Sequence, residues 1–459
     1  MKVKNLMSQD EIIHFIGICG SGMAPLAQIA AGFGKTVQGS DLNPWVSSPS
    51  PTGLTIYSKH DPANLRNVSC VVVSSAIPQT NPELLEAARL GIPVIHRSEL
   101  LARLMEKKRA ITIAGTHGKT TTAALISHTL YSLGLDPTSA VGGLMHNFNS
   151  SALVSRQSPW FVAEADESDG SLIRYNPYLA IISNIDEDHL DHFGNIAAIE
   201  SIFLSHAKKI SKDGILIAGW DHPRVRNLAH QLDIPRLGYG FTIGSDVRAY
   251  DFCHKRGRSH FKVVVERDQF SVTSPLLGRH NANNVLACLS VCRALKLPIA
   301  DAIDALEQFQ GVMRRSDRLL ETSDIILIDD YAHNPQKIHE SISAVRDAWP
   351  DAKIIVIFQP HRYSRTLSLY NALSSAFSSA HYVIVTEIYP AGEPTQDIDL
   401  NRFSENIASS SHVDSRHEVD RAVIIKTVKN LVQGKSAIMT IGAGNVRDIG
   451  EQLRQTLGT

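Results

Sequence analysis

The stretch AITIAGTHGKTTT, residues 110–122, decides the fold class of this chain. Its first five residues, Ala110–Ala114, predict a buried strand, and Thr120–Leu133 predicts a helix. A glycine turn joins the two, and a strand that passes through such a turn into a helix is the repeating unit of parallel α/β sheets. We therefore predict an α/β fold around this stretch.

The turn itself, Gly115–Thr122, predicts a triphosphate site. Gly118, Lys119 and Thr120 stand where backbone N–H groups cradle phosphates, a lysine neutralises the β- and γ-phosphates and a hydroxyl ligates Mg²⁺. Ile113 occupies the position of the first glycine in the general G-x-x-x-x-G-K-[ST] pattern, so the match is incomplete. A chance match is the alternative, and the strand-to-helix context counts against it.

Strand and helix signals alternate along the rest of the chain, which predicts doubly wound parallel sheets. The predicted strands before the turn are Ile12–Ile16, Val37–Gly39, Cys70–Val73 and Ile92–Ile95, with a helix at Met23–Gly32. Those after it are Trp160–Glu164, Leu179–Ser183, Gly214–Ala218, Ile325–Ile328, Lys353–Phe358, Tyr382–Thr386 and Ala437–Ile441, with an antiparallel patch at Asp246–Ser274 and a helix at Arg279–Leu295.

The chain is too long for one hydrophobic core, since single cores stop growing near about 250–300 residues. A charged stretch at Glu106–Arg109 and a polar cluster at Met313–Arg318 predict boundaries. We therefore predict three domains, residues 1–108, 109–316 and 317–459.

Composition excludes several function classes. A formal net charge of −1 gives no general attraction to nucleic acid or anionic membranes. Apolar runs such as Ile354–Phe358 are far shorter than a membrane span. The five cysteines are odd in number and scattered. Cys288 and Cys292 lie four residues apart on a predicted helix, where we expect buried packing rather than zinc ligation. We expect a soluble protein of the reducing cytoplasm, with no nucleic-acid partner and no membrane insertion.

The first predicted strand is followed by Gly17-x-x-Gly20-x-Gly22. Its spacing differs from the dinucleotide fingerprint G-x-G-x-x-G, but glycines before a helix let a backbone approach a diphosphate in the same way. A tight strand–helix turn is the alternative. Asp41, at the end of the second predicted strand, would accept from a ribose hydroxyl or serve as a turn aspartate, and we weigh the two equally.

Acidic blocks follow two strands near the phosphate turn. Glu164–Asp169 and Asn184–Asp191 each begin where a strand ends, so their side chains can point into one crevice. Carboxylate and imidazole groups beside a triphosphate suit Mg²⁺ ions. Solvated loops are the alternative, and the placement at strand ends favours function.

Three further blocks carry weaker signals. Gly278–Asn284 precedes a helix. Its asparagine amides could bind adenine, but we favour the alternative that the block supplies the N-cap of the helix. Asp329–Pro335 and Phe358–Arg365 follow apolar strands. Arg362 and Arg365 could clamp a carboxylate bidentately, and a solvated basic helix start is the alternative.

Taken together, these residues resemble the Mur ligase family over nearly the whole chain. Gly115–Thr122 is similar to the family's G-T-x-G-K-T-T loop, and Glu164–Asp169 matches the E-A-D-E-S-D segment of its alanine-adding branch. Further blocks occur in the family's order at Asp188–Asp191, Gly278–Asn284, Asp329–Pro335 and Pro360–Thr366. The resemblance implies an α/β fold with three domains: a Rossmann-like UDP-substrate domain, a central P-loop ATPase domain and a Rossmann-like C-terminal amino-acid domain.

The resemblance also assigns roles to individual residues. Those assigned to the UDP substrate are Gly17, Gly20, Ser21, Gly22, Met23 and Asp41. Those assigned to ATP are Gly115, Thr116, His117, Gly118, Lys119, Thr120, Thr121, Asn284 for adenine and Asp330 for the ribose. The implied metal ligands are Thr120, Glu164 and His189, and the implied catalytic residues are Lys119, His189, His333, Arg362 and Arg365.

The activity implied is ATP- and Mg²⁺-dependent ligation of L-alanine to UDP-N-acetylmuramic acid through an acyl phosphate, in peptidoglycan precursor synthesis. A monomer or weak homodimer is expected.

Asn334 replaces the usual second histidine of its block, and Phe203 stands where several relatives carry a carbamylated lysine that the alanine-adding branch also lacks. The Ile-Cys-Gly sequence of the first loop is shared with a recycling ligase that attaches a whole tripeptide, L-Ala-γ-D-Glu-meso-diaminopimelate, so that activity is the alternative.

Two functions of other classes are also considered. A nicotinamide dehydrogenase could be built on the first glycine loop, but the Gly118-Lys119-Thr120 turn counts against it. A P-loop switch or motor would release phosphate without any muramate substrate.

Overall fold

The structure is a computed structural model that describes residues 11–43, 45, 54–168, 170–187 and 193–458. The first sheet has the strand order β3-β2-β1-β4-β5, and its strand pairs are parallel. Its strands are β1 Ile12–Ile16, β2 Thr36–Ser40, β3 Leu54–Tyr57, β4 Cys70–Val73 and β5 Val94–His96, and its helices are α1 Ala24–Gly32, α2 Pro82–Leu90 and α3 Arg97–Met105. Helices α1 and α3 pack on one face and α2 on the other, which confirms the doubly wound arrangement.

The second sheet has ten strands in the order β15-β14-β13-β12-β11-β10-β6-β9-β7-β8. Its strands are β6 Arg109–Ala114, β7 Thr138–Met145, β8 Ser150–Leu153, β9 Trp160–Glu164, β10 Leu179–Ile182, β11 Ile215–Gly219, β12 Arg236–Gly240, β13 Val247–Lys255, β14 Arg258–Val265 and β15 Asp268–Ser274. Its helices are α4 Lys119–Ser132, α5 Ile196–Ala207, α6 Pro223–His230, α7 Arg279–Ala294 and α8 Ile299–Glu307. The strands around β6 are parallel, so the phosphate turn opens at their shared carboxyl edge.

The predicted antiparallel patch is a three-stranded meander, β13 to β15. Two-residue connections join its strands, and only antiparallel neighbours can be joined so tightly. Arg256 and Gly257 both have positive φ, as a type I′ hairpin turn requires.

The third sheet has the order β16-β17-β21-β18-β19-β20, and only its β16–β17 pair is antiparallel. Its strands are β16 Asp317–Glu321, β17 Ile325–Asp330, β18 Lys353–Phe358, β19 Tyr382–Val385, β20 Asp414–His417 and β21 Ser436–Ile441. Its helices are α9 Pro335–Ala348, α10 Tyr363–Ser368, α11 Tyr370–Ser374, α12 Leu400–Ser411, α13 Arg421–Leu431 and α14 Arg447–Leu457. Two apolar clusters cover its two faces.

The chain forms two compact units. The first contains the described residues up to Asp251 together with Phe261–Val272 and Asn283–Gln310, and the second contains Phe252–His260, Thr273–Ala282 and the residues from Gly311 onward. Within the described residues, no helix is both long and apolar enough to cross a membrane.

Most differences from the predicted elements are shifts of one or two residues at strand ends. Arg109, predicted as linker, already pairs with Trp160 in the β6–β9 ladder. The strand predicted at Ile92–Ile95 starts instead at Val94, directly after Pro93, which has no backbone donor. The hairpin β7–β8 and the strands β3, β12, β16 and β20 were not predicted.

Candidate functional site

The phosphate loop, residues 115–120, depends on two glycines. Gly115 has φ +144° and Gly118 has φ +83°, values that disfavour side chains. A Cβ at Gly115 would lie 2.0 Å from Ser183 Oγ, and one at Gly118 would lie 2.6 Å from Asn284 Oδ1. Both positions therefore require glycine for backbone angle and for space.

Asn184, just after β10, fixes the loop from the neighbouring strand. Its Oδ1 accepts from His117 N at 2.7 Å, and its Nδ2 donates to His117 O at 3.1 Å. Its backbone O accepts from Thr116 N at 3.3 Å. The first residue of the second acidic block is thus a scaffold for the phosphate loop.

Lys119 opens α4, and its ammonium is surrounded by acceptors. Nζ donates to Gly115 O at 2.7 Å and to the two oxygens of Glu167 at 2.8 and 2.7 Å. Glu167 is 3% exposed, so this ion pair is buried. Burial by itself lowers the pKa of Lys119, but Glu167 and Asp166 outweigh it and hold the pKa above its ordinary value. The positive charge that a phosphate needs is therefore present and is compensated by Glu167.

Glu164 and Thr120 place two oxygen atoms side by side. Thr120 Oγ1 donates to Glu164 Oε2 at 3.0 Å, and Gly142 N donates to Glu164 Oε1. Mg²⁺ takes oxygen ligands at about 2.0–2.1 Å in an octahedron, which places neighbouring ligand oxygens about 2.9 Å apart. The pair therefore fits two adjacent positions on one Mg²⁺.

The predicted third ligand, His189, lies outside the described residues, as do Asp188 and Asp191. In the described ranges there is no group of three or more histidine, cysteine, aspartate or glutamate side chains that could hold a metal ion. The fit to Mg²⁺ accordingly rests on Thr120 and Glu164.

Two predicted residues, Asp186 and His117, lie beside a residue that was not predicted, His222. Asp186 Oδ1 lies 3.1 Å from His222 Nε2, and Asp186 Oδ2 lies 3.6 Å from His117 Nε2. The hydrogen bond from His222 lowers the pKa of Asp186 below its ordinary value, against the effect of burial. His222 was missed because it follows β11, a strand without a recognised motif.

Asn284 lies against the phosphate loop. Its Oδ1 accepts from Thr122 Oγ1 at 3.1 Å, and Gly118 is the residue whose missing side chain leaves room for it. Asn284 lies in the second turn of α7, which begins at Arg279, so it is not the N-cap that the sequence favoured. Its contact with adenine stays a prediction.

The glycine loop, residues 17–23, joins β1 to α1. Gly17 has φ +76°, and its O accepts from Gly20 N at 3.1 Å, which closes a tight turn. Gly20 and Ser21 are exposed, whereas Met23 is 2% exposed and its side chain belongs to the core. The accessible part of the loop is therefore centred on Gly20 and Ser21.

Asp41 serves this loop through two hydrogen bonds. Its Oδ2 accepts from Cys19 N at 2.9 Å, and its Oδ1 accepts from Asn43 N at 2.9 Å. Asp41 as a whole residue is 8% exposed. Of the two roles that the sequence left open for Asp41, these contacts are those of a turn aspartate. A contact between Asp41 and a ribose stays a prediction.

Arg97, which the sequence did not single out, lies beside the same loop. Its Nη2 donates to Asp166 Oδ2 at 2.9 Å, and its Nη1 lies 3.3 Å from the position that a Cβ would take at Gly22. These residues are far apart in sequence, so no local signal could have found the contact. The same holds for Glu167, although it lies inside a recognised block.

In the second unit, Asp330 ends β17 and is 9% exposed. Its Oδ2 accepts from the N and Oγ of Ser316, each at 2.9 Å, and its Oδ1 accepts from Ala332 N at 2.8 Å. The carboxylate thus ties the start of the third sheet to the turn after β17. Its contact with an ATP ribose stays a prediction.

Four rings form what we call the imidazole cluster: Tyr331, His333, His361 and Tyr389. His361 stacks on Tyr389 with ring centroids 5.7 Å apart, and His333 lies 5.8 Å from His361. Burial and nearby cations lower the pKa of His333 to about 3 and that of His361 to about 4. Both imidazoles are therefore neutral at physiological pH.

The two predicted arginines border this cluster. Arg365 Nη1 lies 3.3 Å from His361 Nδ1. Arg362 is exposed and has φ +67°, a strained angle for a non-glycine residue, and its N donates to Tyr389 O at 2.9 Å. The structure thus brings Arg365, His333 and His361 together, and the carboxylate clamp by Arg362 and Arg365 stays a prediction.

Asn334 is a departure from the family pattern. It is the N-cap of α9, and its Oδ1 accepts from Gln336 N at 3.1 Å. Asparagine is among the best N-cap residues. Asn334 therefore has a capping role at the start of α9 in this chain.

Family models match three successive parts of the chain. The Mur ligase family catalytic domain matches residues 12–109, the Mur ligase middle domain matches 113–292, and the Mur ligase glutamate ligase domain matches 314–444. A UDP-N-acetylmuramate–L-alanine ligase of Syntrophotalea carbinolica is 37% identical over 97% of this chain and 98% of its own length.

Two solved structures are similar over nearly the whole length. The UDP-N-acetylmuramate–alanine ligase of Thermotoga maritima has a TM-score of 0.82 at 25% identity and covers 97% of this chain and 99% of its own. A murein peptide ligase of Psychrobacter arcticus has a TM-score of 0.71 at 23% identity, covering 98% of this chain and 99% of its own, and shares the fold.

Proposed function

Because the chain belongs to the Mur ligase family, we propose that it joins L-alanine to UDP-N-acetylmuramic acid at the expense of ATP. The reaction yields an amide, ADP and phosphate in the synthesis of peptidoglycan precursors. The full-length similarity to UDP-N-acetylmuramate–L-alanine ligases supports this substrate pair. The buried Lys119 in a glycine-shaped loop is the observation that carries the use of ATP.

In the first step the substrate carboxylate would attack the γ-phosphoryl group of ATP. Lys119 and the backbone N–H groups at the start of α4 would stabilise the charge on the transferring group. Mg²⁺, held by Thr120, Glu164 and His189, would supply charge neutralisation to the phosphate oxygens. For Lys119 to contact phosphate, its donors must exchange at least one Glu167 oxygen for a phosphate oxygen.

In the second step the amine of L-alanine would attack the acyl phosphate and release phosphate. We assign the alanine carboxylate to Arg362 and Arg365, whose guanidinium groups are suited to bidentate contacts. His333 and His361 have lowered pKa values of about 3 and about 4, so they act as neutral hydrogen-bonding partners. Lys337 and Arg314 also act on these rings as charges, so the assignment of the carboxylate to Arg362 and Arg365 depends on the bidentate geometry of their guanidinium groups.

The UDP part of the substrate is assigned to the glycine loop, with Gly17, Gly20, Ser21 and Gly22 as its phosphate-binding backbone. Asp41 would hold this loop in shape through Cys19 N. We further propose the domain division 1–108, 109–316 and 317–459, a cytoplasmic location, and a monomer or weak homodimer. The five free cysteines support a reducing compartment.

The test is ADP release from the purified chain with UDP-N-acetylmuramic acid, comparing kcat/KM for L-alanine and for L-Ala-γ-D-Glu-meso-diaminopimelate. We expect L-alanine to be the better acceptor. A clear preference for the tripeptide would favour the recycling activity that the Ile-Cys-Gly loop suggested. ADP release that needs no muramate substrate would contradict both ligase functions.

A further inference from the structure

Arg97 is the first residue of α3, and its side chain covers Gly22 of the glycine loop. A Cβ at Gly22 would lie 3.3 Å from Arg97 Nη1, 3.5 Å from its Cζ and 3.6 Å from its Cδ. These short distances involve the guanidinium and the stem of the side chain. The guanidinium therefore lies directly beside the backbone that we assign to a nucleoside diphosphate.

The same guanidinium reaches the acidic segment after β9. Arg97 Nη2 donates to Asp166 Oδ2 at 2.9 Å, and both side chains are mostly shielded from solvent, at 18% and 29% exposure. Asp166 Oδ2 is therefore the acceptor through which Arg97 reaches the acidic segment.

Asp166 lies between the two carboxylates that contact the phosphate loop. Glu164 accepts from Thr120, and Glu167 accepts from Lys119. Asp166 is next to Glu167 and two residues from Glu164, so Arg97 holds the segment at a point between the carboxylates that contact Thr120 and Lys119. One arginine thus links the glycine loop of the first sheet to the phosphate loop of the second.

We propose that Arg97 is a positioning residue that couples diphosphate binding at the glycine loop to nucleotide binding at the phosphate loop. A guanidinium has donors on more than one edge, so it can hold Asp166 and a diphosphate oxygen together. A diphosphate on the glycine loop then holds Arg97 in place, and Arg97 holds Asp166. The segment that carries Glu164 and Glu167 is thereby positioned for nucleotide binding at the phosphate loop. Occupancy of the glycine loop therefore tightens nucleotide binding.

This inference rests on the proposed function, because UDP-N-acetylmuramic acid is the diphosphate it requires. The experiment measures, by calorimetry on the full chain with Mg²⁺, the affinity for β,γ-methylene-ATP with and without saturating UDP-N-acetylmuramic acid. We expect the sugar nucleotide to tighten nucleotide binding at least about fivefold in the wild type, the lower end of usual coupling factors. The methylene bridge blocks transfer of the γ-phosphoryl group and no amino acid is present, so no turnover occurs.

In Arg97→Ala and Asp166→Asn the coupling factor is expected to fall below about twofold while each ligand still binds alone. Arg97→Lys is the conservative variant, which keeps the charge but loses the second edge, so it too should lose most of the coupling. The double variant should equal either single variant, because both remove one contact. If the role were merely structural, the coupling factor would stay at the wild-type value even where a variant folded less stably or bound a single ligand more weakly.

Arg103→Ala is the matched control, since Arg103 lies on the same helix and pairs with Glu99. It should keep the wild-type coupling. Coupling that persists in Arg97→Ala, or wild type that binds both ligands independently, overturns the inference. Wild type that binds no UDP-N-acetylmuramic acid overturns the proposed function instead, and the inference with it.

Discussion

The phosphate loop and the imidazole cluster handle charge in opposite ways. At the phosphate loop, Lys119 lies against Glu167 in a buried ion pair. At the imidazole cluster, Arg365 lies against His361, whose pKa is lowered to about 4 by burial and by nearby cations. The first region holds carboxylates where phosphate is expected, and the second presents its cations beside neutral rings. A substrate anion must therefore compete with the Glu167 carboxylate for Lys119 Nζ, whereas Arg365 Nη1 lies beside the neutral His361 ring, with Glu393 close enough to act on that ring as a charge.

The largest expected effect comes from removing the cation of the first region. Lys119→Ala should fold and lose on the order of 10²-fold or more in kcat/KM for ligation, because the lost charge acts mainly in the transition state. The measurement is ADP release together with a thermal unfolding curve. Glu167→Gln is the informative companion, since it keeps the shape and removes the competing charge. A folded Lys119→Ala variant with near-normal turnover would contradict the assignment.

The second prediction separates metal binding from charge pairing in the same region. Glu164→Gln should raise the Mg²⁺ concentration for half-maximal activity by at least about tenfold, because it replaces the carboxylate beside Thr120 Oγ1 with a neutral amide. His189→Ala should act in the same direction. Mg²⁺ titrations of both variants that superimpose on the wild type would rule out this metal site. Unfolding curves distinguish ligand loss from instability.

The two regions also differ in how far the sequence could predict them. The phosphate loop is one contiguous segment whose chemistry lies in its backbone and two side chains, so a short motif was sufficient. The imidazole cluster collects rings from the ends of β17, β18 and β19, and nothing local in the sequence shows that Tyr389 stacks on His361. The role of His333 was predicted only through the family resemblance, whereas Arg362 and Arg365 were already candidates for a carboxylate clamp from their position after β18.

The secondary-structure elements also differ in how far the sequence could predict them. Cys70–Val73 and Trp160–Glu164 were predicted to the residue, because buried parallel strands are short apolar runs with clear ends. The strand β7 was missed, since Thr138–Met145 contains two adjacent glycines and does not alternate. Long-range ion pairs such as Arg97–Asp166 leave no local pattern at all.

The third prediction concerns the cations of the second region. Arg362→Lys or Arg365→Lys should raise the KM for L-alanine by about tenfold and change the KM for ATP far less, because lysine keeps the charge but loses bidentate geometry. Arg402→Lys, an exposed arginine on α12, is the control. Equal changes in the two KM values would exclude a specific role toward the amino acid.

The fourth prediction uses the lowered pKa of His333. Between its ordinary pKa of about 6.5 and its folded value of about 3, the unfolded chain takes up a proton that the folded chain refuses. The free energy of unfolding therefore falls as pH is lowered through this window, by at most about 1.4 kcal/mol per pH unit for one group. His333→Gln should reduce that slope. Denaturant unfolding between pH 7 and pH 5 measures it, and an unchanged slope would mean that His333 already protonates in the folded chain.

The smallest expected effect tests whether Asn334 belongs to the imidazole cluster or only to the helix behind it. Its side chain accepts from Gln336 N in its own helix, so Asn334→Ala should cost about 1 kcal/mol in unfolding free energy and leave kcat within about twofold. Asn334→His restores the residue usual in the family and should cost less than alanine, because His96 already caps α3 here through Nδ1, which accepts from Ser98 N at 3.3 Å. Loss of activity in Asn334→Ala without loss of stability would place Asn334 among the residues that contact substrate. The imidazole cluster would then extend one residue beyond His333.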